Sequence, residues 1–330
     1  ANPRYMIPDW SFGIQEEKIR ASIKKARAGG AELIVLASHN GFDVDRKLAS
    51  RVDGIDVILT GHTHDAIPGV IKVKNTLLIA TGSHGKFLGR LDLEVKNKKI
   101  TKFNYKLIPI LSEAIKPDPK ITEIIKQVRA PYEKTLNTVL GKTNTHLYRR
   151  GNFNGTFDDV INQAIMEERD TQISLSPGFR WGATLLPGQN IRVEDVYSQT
   201  AITYPAVYRN EMTGKFLKEI LEDVGDNLFN PDPYYQQGGD MVRTRGIKYS
   251  INPSEKMNNR IEKLRLNNDI EIKSNKEYKV SGWASVNNIE EGKPIWDITK
   301  EYLKAVGTYK VDQSHKIKIV NEDGNIGIET

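Results

Sequence analysis

The sequence predicts an α/β protein of two domains joined by a helical linker. Three observations carry this expectation. A chain of 330 residues exceeds the usual single-domain length, so two separate cores are expected. Between residues 13 and 65 a helical pattern, an apolar run and a polar loop follow one another, and the strand-then-loop unit then repeats, as in an α/β sheet. Past residue 137 helical and strand patterns alternate again.

Residues 13–30 place Ile14, Ile19, Ile23 and Ala26 at helical spacing among charges, and Gly29-Gly30 ends the run in the manner of a C-cap. Residues 31–37 (AELIVLA) read as a short buried strand that empties into Ser38-His39-Asn40-Gly41. Residues 43–52 suit a short helix with Asp43 or Asp45 near its start. Residues 55–60 (IDVILT) then form a second buried strand running into Gly61-His62-Thr63-His64-Asp65. Residues 70–73 and 76–80 read as a hairpin about Lys74-Asn75, and residues 85–95 and 100–109 continue as alternating strands. Residues 112–136 turn helical, with Pro117 and Pro119 at the head and Ile121, Ile124, Ile125 and Val128 on one face.

Beyond this linker the patterns predict a helix at 157–169, a strand at 172–175, a short helix at 193–199 and an amphipathic helix at 213–227. Residues 230–240 (NPDPYYQQGGD) are too rich in Pro, Gly and Asn for regular structure and read as a ligand loop or a packed surface loop. Residues 278–285 (YKVSGWAS) read as a strand entering a Gly-Trp turn, and residues 296–306 as a last helix before a polar tail. The domain boundaries that result are 1–111 for a sheet-rich α/β domain, 112–137 for the linker helix and 138–330 for a mixed α/β domain.

Composition narrows the chemistry. The hydrophobic fraction of 38% and charged fraction of 27% are those of a globular protein, and no apolar run approaches the length that crosses a bilayer. The net charge of +6 favours anionic ligands, but Lys and Arg are spread along the chain, so neither nucleic acid nor membrane is an expected partner. With no cysteine, thiolate metal sites, disulfides and a cysteine nucleophile are excluded, leaving any metal to nitrogen and oxygen ligands. The first residues have neither the basic start nor the apolar core of a signal peptide.

Three of the six histidines, His39, His62 and His64, fall in two short clusters, each directly after an apolar run, the layout of a metal site built on strand ends. His62 and His64 are one residue apart, so on an extended segment both face one way and can ligate one metal or two adjacent ones. Bridging two divalent ions about 3.5–4 Å apart ordinarily takes carboxylates as well. Asp65 is placed either to orient a ligating imidazole or to cap a turn. The loop at 81–89 (TGSHGKFLG) lacks the phosphate-loop spacing and the hydroxyl after its Lys. It reads as a tight turn, with His84 a secondary candidate for the mouth of the site. In Ser176-Pro177-Gly178-Phe179-Arg180-Trp181-Gly182 a guanidinium follows a strand, placed either to fork onto an oxyanion or to stack on Trp181.

The segments SHNG and GHTHD resemble the last two metal motifs of the calcineurin-like metallophosphoesterases, and a linker followed by a mixed second domain resembles the 5′-nucleotidase family. Longer segments, among them IPDWSFGIQEE, SHNGFDVDRKLASRVDGID, LYRRGNFNGTFDD, SPGFRWGATLLPGQ, QTAITYP, EMTG and DNLFNPDPYYQQGGDMVR, are similar to the SoxB thiosulfohydrolases of bacterial sulfur oxidation over nearly the whole chain. The resemblance implies the C-terminal part of a four-layer α/β/β/α catalytic domain with two Mn2+ ions, and a 5′-nucleotidase-type C-terminal domain closing over it. It implies His39 and His62 as ligands of one metal, His64 as a ligand of the other, and Asn40 lining the catalytic site. Arg180 would face the sulfonate. Tyr234, Tyr235, Gln236, Gly238, Gly239 and Asp240 would wall the channel that admits the substrate arm, with Trp283 a further wall candidate.

The implied reaction is hydrolysis of a cysteine-S-thiosulfonate on the SoxYZ carrier, with sulfate leaving, in the periplasm. The family's Asp-x-His, Gly-Asp and Gly-Asn-His motifs have no counterpart in this sequence. The expectation is therefore half a metal site in this chain, no normal turnover by the chain alone, and part of the first sheet left bare. Two other readings stay open. One is a 5′-nucleotidase-like phosphohydrolase, although neither the paired phenylalanines nor the Asn-Asp-Phe segment of those enzymes is evident where SGWASV stands. The other is a non-catalytic module that binds the carrier.

Overall fold

The computed structural model describes residues 5, 7–153, 155–285, 292–311 and 317–321, and the chain divides into two units. One comprises Arg4–Ile124 with the returning segment Pro231–Gly238; the other comprises Ile125–Asn230 and Gly239–Thr330.

In the first unit, α1 (Glu16–Ala28) begins with Glu16 and Glu17 and ends with Lys25 and Arg27, complementing the helix dipole at both ends. It stops at Gly29, whose N–H donates to the Lys25 carbonyl at 3.0 Å. Next come β1 (Val35–Ser38), α2 (Phe42–Arg51), β2 (Val57–Thr60) and the hairpin β3 (Ile71–Val73) and β4 (Thr76–Ala80). The sheet order is β1-β2-β4-β3, parallel except for β3. Leu48 and Ala49 of α2 and Val52 just after it form the core with Ile58 and Leu78 of the sheet, and Ile19 and Ile23 of α1 pack against it. A second hairpin, β5 (Phe87–Lys96) and β6 (Lys99–Pro109), closes on Asn97 and Lys98. Both are left-handed, at φ 52° and 62°, which suits the twist of the paired strands.

The helix expected over 112–136 is two helices, α3 (Pro119–Arg129) and α4 (Glu133–Leu136). Pro131 accounts for the break, because it lacks an N–H and disfavours helical geometry at Ala130. Asp118 caps α3, its carboxylate accepting the Lys120 and Ile121 N–H groups at 2.9 and 3.0 Å. The division between units falls within α3.

The second unit continues through β7 (Val139–Thr143), α5 (Thr156–Arg169), β8 (Ile173–Gly178), β9 (Asn190–Arg192), α6 (Val193–Thr200), β10 (Val207–Thr213) and α7 (Gly214–Phe229). It ends with β11 (Asp240–Arg245), β12 (Ile247–Ile251), β13 (Ile261–Leu266), β14 (Glu277–Trp283), α8 (Ile295–Val306), β15 (Thr308–Tyr309) and β16 (Lys318–Ile319). Its main sheet has the order β10-β14-β8-β11, and two smaller sheets have the orders β13-β12-β16 and β15-β7-β9. Phe157, Val160, Ile161 and Ile165 recur at helical spacing on α5 and are fully buried in one core. Leaving water stabilises the fold by about 1.5–3 kcal/mol for each such side chain. Leu217 and Leu221 of α7 join Met241, Ile251 and Tyr278 in a second core.

The mixed α/β class is the one expected from the sequence, with two local corrections. Gly282 and Trp283, expected in a turn, are the last residues of β14; a Cβ at Gly282 would lie 2.2 Å from the Tyr208 hydroxyl, so glycine is required by packing there. The expected polar tail after α8 contributes β15, paired with β7, and β16, paired with β12. Among the described residues no helix is long and apolar enough to cross a membrane.

Candidate functional site

β1 and β2 run parallel with Ser38 opposite Thr60, so the loops that follow leave the sheet side by side. This brings the His39 and His62 rings edge to face, 5.1 Å between centroids. Gly61 permits the approach, since a Cβ there would stand 3.3 Å from His39 Nδ1. His62 and His64 do not form the extended segment expected of them. Both are left-handed, at φ 73° and 59°, which removes the two-residue alternation of a strand. His64 meets His84 instead, with ring centroids 5.9 Å apart. The four histidines thus stand as two pairs.

Asn40, expected to line the site, is tied to α2. Its side-chain N–H donates to Asp45 Oδ1 at 3.3 Å, and Ser38 Oγ donates to the same oxygen at 2.7 Å. Ser38 Oγ also accepts the Asn40 backbone N–H at 3.2 Å. Asp45 is fully buried, and burial pushes its carboxyl pKa up against the opposing pull of those hydrogen bonds. Asp43 is likewise raised, by burial first and then by the charge of Asp65. Sequence reasoning took Asp45 as a helix-start residue and missed this role, although a signal existed. Asp45, Leu48, Ala49 and Val52 fall at i, i+3, i+4 and i+7, so a carboxylate stands in the apolar stripe that α2 turns to the core.

The segment Pro231–Gly238 returns to this unit and presses on His62. The Gln237 carbonyl lies 2.6 Å from His62 Nε2. That contact makes Nε2 the protonated nitrogen and Nδ1 the basic one. Gly238 has φ 74°, and a Cβ on it would lie 2.7 Å from the His62 ring, so glycine is required there. Tyr234, expected as a channel wall, serves as an anchor for this segment: its hydroxyl donates to Glu16 Oε1 at 2.7 Å and its ring lies 4.3 Å from Lys47 Nζ. Arg51, followed by Tyr234 and Arg20, holds the Glu16 carboxyl at a pKa of about 2. Lys47 also pairs with Asp232, whose carboxylate accepts the Tyr234 N–H at the start of a 3-10 turn, Pro233–Tyr235. Tyr235 is exposed and Gln236 half-buried.

In the second unit Arg180 follows β8 and ends a ladder of alternating charge. Its Nε lies 3.2 Å from Asp240 Oδ1, and its Nη2 donates to the Gly239 carbonyl at 2.9 Å. Asp240 Oδ2 accepts Arg243 Nη2 at 2.8 Å, Arg243 Nε stands 3.3 Å from Asp158 Oδ2, and Asp158 Oδ1 accepts Arg149 Nε at 2.8 Å. Arg149 further donates to the Gln199 and Pro177 carbonyls. Three guanidiniums against two carboxylates leave one positive charge in excess, and Arg180 is the guanidinium of the three with side-chain exposure, 15%. Asp240, expected as a channel wall, is buried within this ladder, and burial raises its pKa against the pull of Arg243 and Arg180. Trp283, also expected as a wall, is 3% exposed and donates its indole N–H to Ser176 Oγ at 2.9 Å. It supports Phe179 edge-on at 5.9 Å, while Phe179 stacks on Trp181 at 3.9 Å.

Imidazole is the donor that suits a divalent transition metal, and His39 with His62 bring two of them together. Among the described residues no three His, Cys, Asp or Glu groups stand together as a ligand set. The first unit therefore fits a metal in donor type without closing a coordination shell.

Residues 137–293 match the family model of the 5′-nucleotidase C-terminal domain. Among solved structures, the chain is similar to the sulfate thiohydrolase SoxB of Thermus thermophilus, at 33% identity and a TM-score of 0.90, over 94% of this chain and 59% of that one. A 5′-nucleotidase precursor, also from Thermus thermophilus, shares the fold at 19% identity and a TM-score of 0.79, over 93% of this chain and 68% of that one. The trifunctional nucleotide phosphoesterase protein YfkN of Bacillus subtilis is 24% identical over 306 residues, which is 83% of this chain and 20% of that protein. The chain thus spans a fifth of that curated relative and under two thirds of the SoxB structure. These relatives are hydrolases. Residues 137–293 are similar to the 5′-nucleotidase C-terminal domain, and the chain shares the fold of these two solved structures.

Proposed function

We propose that the protein carrying this chain is a metal-dependent thiosulfohydrolase that releases sulfate from a cysteine-S-thiosulfonate. The observation that carries the reading is the likeness to SoxB, 33% identity over 94% of the chain, against 19% for the nucleotidase precursor over a similar span. In the reaction R–S–S–SO3⁻ + H2O → R–S–SH + HSO4⁻, water forms a bond to the terminal sulfur, the S–S bond breaks, and the carrier keeps the sulfane sulfur as a persulfide. A divalent metal centre, two Mn2+ in our reading, would be held through His39, His62 and His64 and would supply an activated water. Arg180, presented by the arginine ladder, pairs with the sulfonate oxygens and offsets the charge that grows on them. The cysteine belongs to the C-terminal arm of a SoxYZ-type carrier, and the periplasm is the compartment this partner requires.

A phosphohydrolase acting on nucleotides is the second reading, favoured by the family model over residues 137–293 and by the similarity to YfkN. Holding a nucleobase takes an open aromatic face. Phe179 already has Trp181 stacked on it at 3.9 Å and the Arg149 guanidinium 5.7 Å from its centroid, which supports the sulfonate over the nucleoside. The test compares sulfate release from a thiosulfonated cysteine peptide with phosphate release from AMP, using the whole protein with Mn2+ supplied. Sulfate release is expected to dominate. Phosphate release without sulfate release would overturn the reading.

A further inference from the structure

We infer that Asp45 is the positioning residue of the His39–His62 pair, a buried carboxyl on α2 that fastens the strand end and loop on which His39 is mounted against His62. The inference rests on reading that pair as the metal-binding end of the site. Ser38 and Asn40 flank His39, and both donate to Asp45 Oδ1, at 2.7 and 3.3 Å. Thr60 lies opposite Ser38 in the sheet and immediately precedes Gly61-His62; its Oγ1 and Asp45 Oδ2 are both buried with no hydrogen-bond partner among the described residues. One side chain therefore holds both residues that flank His39, at the end of β1 from which that histidine departs.

A packing role alone does not account for a carboxyl at this position. Asp45 is fully buried in the apolar stripe of α2, where an aliphatic side chain would fill the same space without desolvation. Its hydrogen bonds go to the loop that carries His39. Within that loop Ser38 Oγ accepts the Asn40 N–H at 3.2 Å, and Gly41 follows with φ 103°. Without the carboxyl acceptor, Ser38 and Asn40 lose the partner that keeps the loop against α2, and the 5.1 Å approach of the two rings loses one side of its support.

With six histidines in the chain, ring resonances can be assigned one by one in a 15N-labelled sample. Asp45→Ala is expected to abolish the cross-peak between the His39 and His62 rings and to shift both sets of resonances, leaving those of His146 in place. It should also weaken Co2+ or Mn2+ binding by about 10- to 100-fold, the usual effect of removing a group that orients a ligand. Asp45→Asn, which retains an acceptor oxygen, should restore the cross-peak. An Asp45→Ala protein that keeps the His39–His62 cross-peak overturns the inference, whatever its thermal stability. If Asp45→Ala does not fold, Ser38→Ala decides: shifted His39 resonances support the role, and unshifted ones overturn it. If the wild-type protein binds neither ion while Asp45→Ala loses the cross-peak, the positioning role stands and the metal reading falls.

Discussion

Asp240→Ala tests whether the arginine ladder holds the second unit together. The substitution leaves Arg243, 1% exposed, with the Gly151 carbonyl and the 3.3 Å approach to Asp158, and it takes from Arg180 the carboxylate 3.2 Å from its Nε. Removing one partner of a buried ion pair strands the other charge and costs about 3–5 kcal/mol. For a unit of this size each kcal/mol moves the midpoint by about 2–4 °C, so the transition of the second unit should fall by about 6–20 °C. Differential scanning calorimetry reads it directly. Asp240→Ala combined with Arg243→Met removes the fully buried stranded charge, leaving only the part-exposed Arg180 without its carboxylate, and should recover much of the loss. A fall under about 2 °C for Asp240→Ala, or no recovery in the double variant, would refute the claim that these charges are paired out of water.

Two further outcomes bear on the segment Pro231–Gly238. The Glu16 carboxyl, held at a pKa of about 2 by Arg51, Tyr234 and Arg20 against an ordinary value of 4.5, stays ionised down to strongly acid pH. The stability it contributes is fully present above the unfolded value and is lost as pH falls through the folded one. A 13C titration should therefore place its midpoint near 2, and a midpoint near 4.5 would show that Tyr234 is not anchored there. Gly238→Ala places a Cβ 2.7 Å from the His62 ring at a backbone φ of 74°. Left-handed geometry alone costs about 1–2 kcal/mol for a residue with a Cβ, so a lowered midpoint with a shifted His62 ring resonance is expected; unchanged values for both would refute the contact.

The α/β alternation was legible because short strands rich in branched apolar residues stand between helical periods, and the hairpin of β3 and β4 appears where its turn residues predict it. The misreadings share a cause. Pro131 breaks the linker helix, but the spacing of Ile121, Ile124, Ile125 and Val128 before it is continued by Tyr132 and Leu136 after it and reads as one period. Gly282 resembles a turn residue by local rules; it is a strand residue because the Tyr208 hydroxyl occupies the space a Cβ would need. The histidine clusters were visible as residues after strands, whereas the pairing of His39 with His62 and of His64 with His84 depends on left-handed angles that no spacing encodes.

Charge proved more informative where it interrupted an apolar period than where it stood in a polar run. Asp45 shares the buried stripe of α2 with Leu48, Ala49 and Val52. Asp158 shares that of α5 with Ile161 and Ile165, and Glu222 lies on the buried side of α7 beside Leu221 and Gly225. Each of the three carboxylates fixes a neighbouring segment that lacks regular partners. Asp45 takes Ser38 and Asn40 of the histidine loop, and Asp158 takes Arg149. Glu222 takes the backbone N–H groups of Asn258, Arg260 and Ile261 at 2.8, 3.2 and 2.7 Å. A buried carboxylate must find donors or neutralise, and a helix supplies none from its own interior, so the donors come from an adjoining loop or strand end. An acidic residue in a helix's apolar stripe therefore marks the helix as the anchor of a segment elsewhere in the chain. In α2 that segment carries His39, and the same logic that explains a buried charge in the core locates the support of the candidate site.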